Sequence, residues 1–307
     1  MNKITITGDL GSGKTVVSKL LSQALGYPIV STGSIQRKMA AEMKLTTFEL
    51  NELANDDDSI DKRIDATSRG LNLDPDPYIV DSRMSWFFIE KAYKIYLKVD
   101  PSIAAIRIFG DSNRSTESYN SAEEAFELLK VRRQTEIDRF MEKYGVDYTD
   151  LSHYDLTVVT NDLEPGQVAQ IVLDQRSKWL QHTDGPKKCM ASPKSLYPLQ
   201  HLGPISTAAA AAVKSAIAKT GFNDAFPVAV VEHEGKLFIY DGHKRASSAI
   251  LAGLTAIPIV IVAKGQEEIS AGMTAERYVK KTFDPASITD WETVLRFRFK
   301  HRPSIEK

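Results

Sequence analysis

A chain of 307 residues is longer than one small domain needs and accommodates two. With 42% apolar and 26% charged residues, a net charge of −1 and no apolar run near the ~18–20 residues of a membrane span, no membrane partner is expected. The single cysteine, Cys189, rules out a disulfide framework and paired-cysteine zinc sites, and the N-terminus MNKITITGDL lacks a leader profile, so the expected location is the cytoplasm. The near-neutral total conceals a split. Residues 1–182 carry 22 Lys/Arg against 28 Asp/Glu, and residues 183–307 carry 17 against 12. An acidic front and a basic back suggest two domains with different partners.

In chain order, Lys3 to Thr7 is a short β-branched strand that ends at Gly8. Val16 to Leu25 has helical spacing, and Tyr27 to Val30 is a second strand. Thr46 to Arg69 reads as an acidic helix, Asp74-Pro-Asp-Pro as a turn, and Tyr78 to Val80 as a strand. Ile95 to Val99 and Leu156 to Thr160 are further strands, separated by a long polar helix from Ser121 to Tyr144. This alternation predicts an α/β domain with a doubly wound parallel sheet over residues 1–181. Residues 182–195 have no periodicity and read as a linker. Beyond them the pattern restarts over 196–307. An Ala-rich helix spans Ile205 to Thr220, strands at Pro227–Glu232 and Leu237–Tyr240 meet through Glu234-Gly235, a helix covers Arg245 to Ala252, and a strand Ile257 to Val262.

The segment Gly8-Asp-Leu-Gly11-Ser12-Gly13-Lys14-Thr15 fits G-x-x-x-x-G-K-[ST], with a strand before it and a helix after it. Glycines let backbone N–H groups wrap around phosphate oxygens at the positive end of the helix. Lys14 then reaches the terminal phosphates of ATP and Thr15 offers a hydroxyl to Mg²⁺. Ser31-Thr-Gly33-Ser-Ile-Gln-Arg37, at the end of the next strand, has the makings of a second anion site. A kinase that holds an acceptor phosphate in line with the donor needs one.

Together these motifs resemble the cytidylate kinase family, in its archaeal-type branch. The resemblance runs for about 170 residues and includes Asp61-Lys-Arg63-Ile-Asp65, Asp81-Ser-Arg83, Arg107, the helix with Arg132, Glu136 and Arg139, and Lys143-Tyr-Gly-Val-Asp-Tyr. It implies that Ser31, Gly33, Arg37 and Arg83 bind the acceptor monophosphate. Lys14, Arg83, Arg132 and Arg139 would supply charge to the transferring group, and Thr15 and Asp81 would serve the metal. The chain departs from the family in reading Asp-Ser-Arg for Glu-Gly-Arg at 81–83, and in a long lid, Gly110 to Ser121, whose single cation is Arg114. No constellation that reads cytosine is evident.

The second half resembles the ParB/sulfiredoxin-like fold, a smaller α+β domain, through Asp241-Gly242-His243-Lys-Arg245 between a strand and a helix. That resemblance implies a phosphate site at Asp241, Gly242, His243 and Arg245. Cys189 lies too far upstream for reductase chemistry of the sulfiredoxin type. The tail Arg296-Phe-Arg-Phe-Lys-His-Arg302 alternates cations and aromatics, as a nucleic-acid contact or an amphipathic edge strand would. The functional expectation is ATP- and Mg²⁺-dependent phosphorylation of a pyrimidine nucleoside monophosphate. The alternatives are a kinase of a hydroxymethylated base in DNA and a nucleotide-sensing regulator.

Overall fold

The computed structural model describes residues 2–45, 49–50, 53, 58–111, 119–183, 185–303 and 305. Of these, the side chains at 36–37, 58–61 and 207 are left aside. The chain divides into two compact units, residues 1–158 with 164–187, and residues 159–163 with 188–307.

The first unit is built on the strands β1 (Lys3–Gly8), β2 (Ile29–Ser31), β3 (Tyr78–Asp81), β4 (Ala92–Lys98) and β5 (Leu156–Val159), ordered β2–β3–β1–β4–β5. β1 pairs parallel with β3 on one side and β4 on the other, and β2 pairs parallel with β3. The parallel sheet expected from the alternating pattern is therefore present here. Ile4 and Ile6 are fully buried and so are Thr5 and Thr7, because a central parallel strand is covered on both faces. The register aligns Ile6 with Asp81, and Asp81 with Ser31. The carboxyl ends of three strands thus open on one edge, where ligands bind in sheets of this kind.

Helices complete the unit. Lys14–Leu25 follows the glycine loop and Thr32–Met43 follows β2. Pro101–Phe109 begins at Asp100, whose side chain accepts from the Ser102 N–H. The long helix Ala122–Tyr144 is capped by Ser121, whose hydroxyl accepts from the Glu124 N–H, and ends at the left-handed Gly145. It packs on Pro101–Phe109 through Ala125 and Leu129. The acidic helix begins among the described residues at Asp58 and runs to Leu73; residues 46–48, 51–52 and 54–57 of its expected span lie outside them.

The second unit carries a mixed sheet ordered β6 (Lys188–Ala191), β10 (Ile257–Lys264), β8 (Val228–His233), β9 (Lys236–Asp241) and β7 (Leu196–Tyr197). A separate two-stranded sheet joins β11 (Glu268–Ser270) to β12 (Met273–Thr274). The β8–β9 hairpin turns on Glu234 and Gly235, both with positive φ, as a two-residue loop between right-twisted strands requires. Two expectations change. Residues 188–195 do not form part of a linker: Met190 and Ala191 are buried in strand β6, which pairs antiparallel with β10, and Ser192 caps a helical turn at Pro193–Ser195. The tail after Leu295 is not a strand either. Arg296 adopts a left-handed conformation that ends the helix Pro285–Leu295. Phe299 is then buried against Tyr197 while Arg298 and Lys300 face outward, so the alternation survives without strand pairing.

Candidate phosphoryl-transfer site

The loop between β1 and the helix Lys14–Leu25 forms where backbones crowd. A Cβ at Gly8 would lie 2.3 Å from the Leu97 carbonyl oxygen, and one at Gly11 would lie 2.9 Å from the Cα of Ala104. Side chains are excluded at both positions, so β1 and the loop press directly on β4 and on the helix Pro101–Phe109. Ser12 is buried and its hydroxyl donates to the Asp9 carbonyl at 2.7 Å, closing the loop on itself. Gly13, with φ +86, stands at the helix N-cap, and Thr15 lies exposed on the first turn.

Two cations from different elements meet at the first residue of this loop. Lys14 Nζ lies 3.4 Å from the Gly8 carbonyl oxygen, and Arg83 Nη1 donates to the same oxygen at 2.6 Å. Burial and the nearby Arg83 guanidinium push the Lys14 ammonium down to about 8, against the favourable pull of Asp81, Glu136 and Asp9. Burial works against the Arg83 charge too, but Glu136 outweighs it and holds the guanidinium firmly protonated. Arg83 Nε donates to Glu136 Oε2 at 2.9 Å, Arg132 Nε to Glu136 Oε1 at 3.2 Å, and the Tyr148 hydroxyl to Glu136 Oε2 at 3.2 Å. Burial would raise the Glu136 carboxyl, yet Arg83 and Arg132 pull it down to about 2.

Asp9 anchors the loop from beneath. Its carboxylate accepts from the Tyr96 hydroxyl at 2.7 Å and the Val99 N–H at 3.0 Å, and Arg133 Nη1 lies 3.0 Å from Oδ1. Burial opposes the charge, but Arg133, Lys98 and these hydrogen bonds keep the carboxyl below its ordinary range. Arg107 Nη1 reaches the Gly11 carbonyl at 3.4 Å.

In the region expected to hold an acceptor, Ser31 closes β2 and occupies the N-cap of the helix Thr32–Met43, with Gly33 in its first turn. The Ser31 side chain makes no capping hydrogen bond at that helix start. The Thr32 hydroxyl reaches the Asp81 carbonyl at 3.5 Å, which ties this start to the end of β3. The Asp81 carboxylate is largely buried there.

Of the residues singled out in the sequence, Lys14, Arg83 and Arg132 converge through Gly8 and Glu136. Arg139 does not join their hydrogen bonds. Its guanidinium lies over the Phe140 ring at 5.0 Å and its Nε is buried without a hydrogen-bond partner. The side chain of Arg37, and Arg114 in the lid, lie outside the described residues. Asp9 and Arg133 escaped the sequence reading, because Asp9 occupies a variable position of the loop motif. The signal was available in principle, since a carboxylate directly after a fully buried parallel strand requires a partner.

The second-half residues behave differently. Gly242 is left-handed at the N-cap of the helix His243–Ala252. His243 is buried, its Nε2 accepts from the Leu199 N–H at 3.2 Å, and its ring meets Trp291 edge-on. Arg245 Nη1 donates to the Phe226 and Pro227 carbonyls at 2.8 Å each, and Nη2 to Asp241. The side chains of His243 and Arg245 thus make their hydrogen bonds within the second unit, while that of Asp241 is 73% exposed. The basic tail is tied to a buried carboxylate. The buried Glu292 accepts from Arg298 at 2.6 Å, from the Phe299 N–H at 3.0 Å and from Arg302, so two of its arginines are held internally.

No helix among the described residues is long and apolar enough to cross a membrane. Residues 3–162 match the pattern of the Cytidylate kinase-like family. The chain is 35% identical over 170 residues to a cytidylate kinase of Methanobrevibacter smithii, covering 55% of this chain and 95% of that protein. It is 37% identical over 173 residues to a cytidylate kinase of Sulfolobus acidocaldarius, covering 56% and 92%. An S-adenosylmethionine-dependent nucleotide dehydratase of Lacinutrix mariniflava is 33% identical over 177 residues, which covers 57% of this chain and 36% of that protein.

Proposed function

The chain belongs to the Cytidylate kinase-like family, and from that premise we propose that its first unit transfers the γ-phosphoryl group of ATP to the phosphate of CMP or dCMP. The observation that carries this reading is the meeting of Lys14 and Arg83 at one backbone oxygen. One cation belongs to the donor loop and the other follows the acceptor strand. Two like charges held that close are relieved by an anion placed between them, and donor and acceptor phosphates must touch at such a point.

In the proposed reaction an acceptor phosphate oxygen forms a bond to the γ-phosphorus as the bond to the β–γ bridging oxygen breaks, and ADP leaves with the electron pair. The protein's task is positioning and charge around a loose transition state. The loop N–H groups and Lys14 hold the donor, the start of the helix Thr32–Met43 with Ser31, Gly33 and Arg37 holds the acceptor, and Arg83 and Arg132 neutralise charge as it moves. Thr15 and Asp81 offer a hydroxyl and a carboxylate, the hard oxygen donors that suit Mg²⁺, and would hold it. When bound, the ion supplies charge neutralisation to the β- and γ-phosphates.

The second unit enters this reading as a ParB/sulfiredoxin-like accessory fold, supported by the sequence β9, left-handed Gly242, helix. ADP release from ATP and Mg²⁺ tests the proposal against the common nucleoside monophosphates, free serine, and DNA with and without hydroxymethylated pyrimidines. Strong stimulation by CMP or dCMP is expected. Stimulation by modified DNA alone would sink it.

A further inference from the structure

We propose that Glu136 is a positioning residue for phosphoryl transfer, a single carboxylate on the long helix that sets Arg83 and Arg132 in one geometry and fixes both relative to the phosphate loop. The proposal rests on the kinase reading above. Its basis is the path of contacts from the helix Ala122–Tyr144 to Gly8. Glu136 grips Arg83 at Nε, and the other end of the same guanidinium donates to the first carbonyl of the loop at 2.6 Å. The planar guanidinium is rigid, so fixing Nε and Nη1 fixes the direction of every remaining donor. Tyr148 completes the arrangement. Its hydroxyl donates to Glu136 at 3.2 Å and its ring lies 5.7 Å from the Arg83 guanidinium carbon.

The second oxygen of Glu136 takes Arg132 from one turn earlier, at 3.2 Å. The next residue, Arg133, reaches down to Asp9 at 3.0 Å. The helix therefore meets the loop at two points, Gly8 and Asp9, through residues three positions apart on one face. A surface ion pair has neither feature. Only 16% of the Glu136 side chain and 17% of that of Arg83 is exposed. A buried carboxylate at this point carries a desolvation penalty that only several good partners offset. Without it, Arg83 and Arg132 would lose the carboxylate that they share beside Lys14, and like charge would favour their moving apart. Because the transition state demands cations at fixed places, that movement should appear in the chemical step before it appears in substrate binding.

The test uses the full chain, with ADP formation from ATP and Mg²⁺ followed at saturating acceptor, and thermal unfolding measured in parallel. Glu136→Gln keeps the shape and removes the charge. Its kcat is expected to fall by roughly 10–100-fold with the KM for ATP within about 3-fold of the parent. Glu136→Asp should recover part of that loss. In Arg83→Lys the further effect of Glu136→Gln should nearly vanish, since both changes break the same arrangement. An unchanged kcat, a change in KM alone, or losses in the two variants that multiply independently would overturn the proposal. So would a rate loss that a lowered unfolding temperature fully explains. Should Glu136→Gln fail to fold, Tyr148→Phe removes one hydrogen bond with little change of volume, and an unchanged kcat there would count equally against it. A parent protein silent toward every nucleoside monophosphate would instead sink the acceptor reading. Glu136 is then judged by the same ratio on whichever acceptor supports turnover.

Discussion

In each unit a helix starts directly from a left-handed glycine: Gly13, at the end of the loop that follows β1, before Lys14–Leu25, and Gly242, immediately after β9, before His243–Ala252. Neither helix has a side-chain cap, so both expose first-turn N–H groups of the kind that bind phosphate. What separates them is the fate of the first helical residues. After Gly13, Lys14 turns back over the loop to the Gly8 carbonyl, among Arg83, Asp81 and Glu136. After Gly242, His243 turns inward under Trp291 and Arg245 folds back on the Phe226 and Pro227 carbonyls. The same backbone device therefore serves a loop where Lys14 meets Arg83, the proposed phosphate cradle, in one unit and a turn whose side chains pack inward in the other. The residues that follow the glycine, and what receives them, decide which.

The largest expected effect breaks the cradle. Lys14→Ala should lower CMP-dependent ADP formation by on the order of 10²–10³ while leaving the unfolding temperature nearly unchanged, since it removes charge and little packing. Undiminished turnover would show that the reaction occurs elsewhere. The pH dependence of ATP binding sharpens the point. Burial and Arg83 favour the neutral amine, so the free site carries its Lys14 proton below about pH 8 and loses it above. Calorimetric affinity for ATP–Mg²⁺ should accordingly weaken as the pH rises through 8, and a flat profile to higher pH would contradict that assignment.

The loop glycines come next, and they differ among themselves. Gly11→Ala adds a Cβ 2.9 Å from the backbone of Ala104 at a positive φ, and should cost about 2–4 kcal/mol in denaturant unfolding of the first unit. At Gly13 nothing lies within 4 Å of an added Cβ, so only the backbone conformation opposes Gly13→Ala, at about 1–2 kcal/mol. Equal losses at the two positions would mean that φ alone dictates both glycines.

How much of this was legible in the sequence depended on whether local chemistry or tertiary partners decide a residue's role. The glycine loop was readable because spacing, strand and helix are contiguous, from Lys3 to Leu25. The convergence of Arg83 with Arg132 depends on Glu136, 53 positions from Arg83, on a helix that Arg133 ties to Asp9. Nothing local announces that. Conversely, Asp241-Gly-His-Lys-Arg245 has the local look of a phosphate turn, and only Leu199, Trp291 and the Phe226 carbonyl reveal that its side chains are already engaged. Residues 188–195 failed as part of a linker for a related reason. Strand β6 is short and gains its order from pairing with β10, some 70 residues later, so no periodicity marks it.

The buried imidazole gives a smaller but sharper contrast with Lys14. Burial depresses His243 to about 4 against the pull of Asp241, and the neutral ring accepts the Leu199 N–H. An unfolded histidine takes up its proton near pH 6.5 while the folded one resists until about 4. The second unit should thus lose stability as the pH falls through that window, and little from this group below it. His243→Gln keeps an acceptor without the titration, so its unfolding temperature should decline less steeply between those pH values. Parallel slopes in parent and variant would assign the loss to other groups.

Arg245 gives the smallest expected effect and the cleanest separation of packed turn from cradle. Its fork satisfies two strand-entry carbonyls and Asp241 at once, a geometry that a lysine ammonium cannot reproduce. Arg245→Lys should therefore lower the stability of the second unit by about 1–2 kcal/mol and leave kinase rates at the parental value. Inorganic phosphate distinguishes the two roles in the same samples. If Arg245 holds carbonyls, added phosphate shifts the second unit's unfolding temperature equally in parent and variant. If it receives a phosphate ligand, the parent is stabilised and Arg245→Lys is not. The second result would mean that the guanidinium leaves Phe226 and Pro227 for the anion, and that the two glycine turns work alike after all.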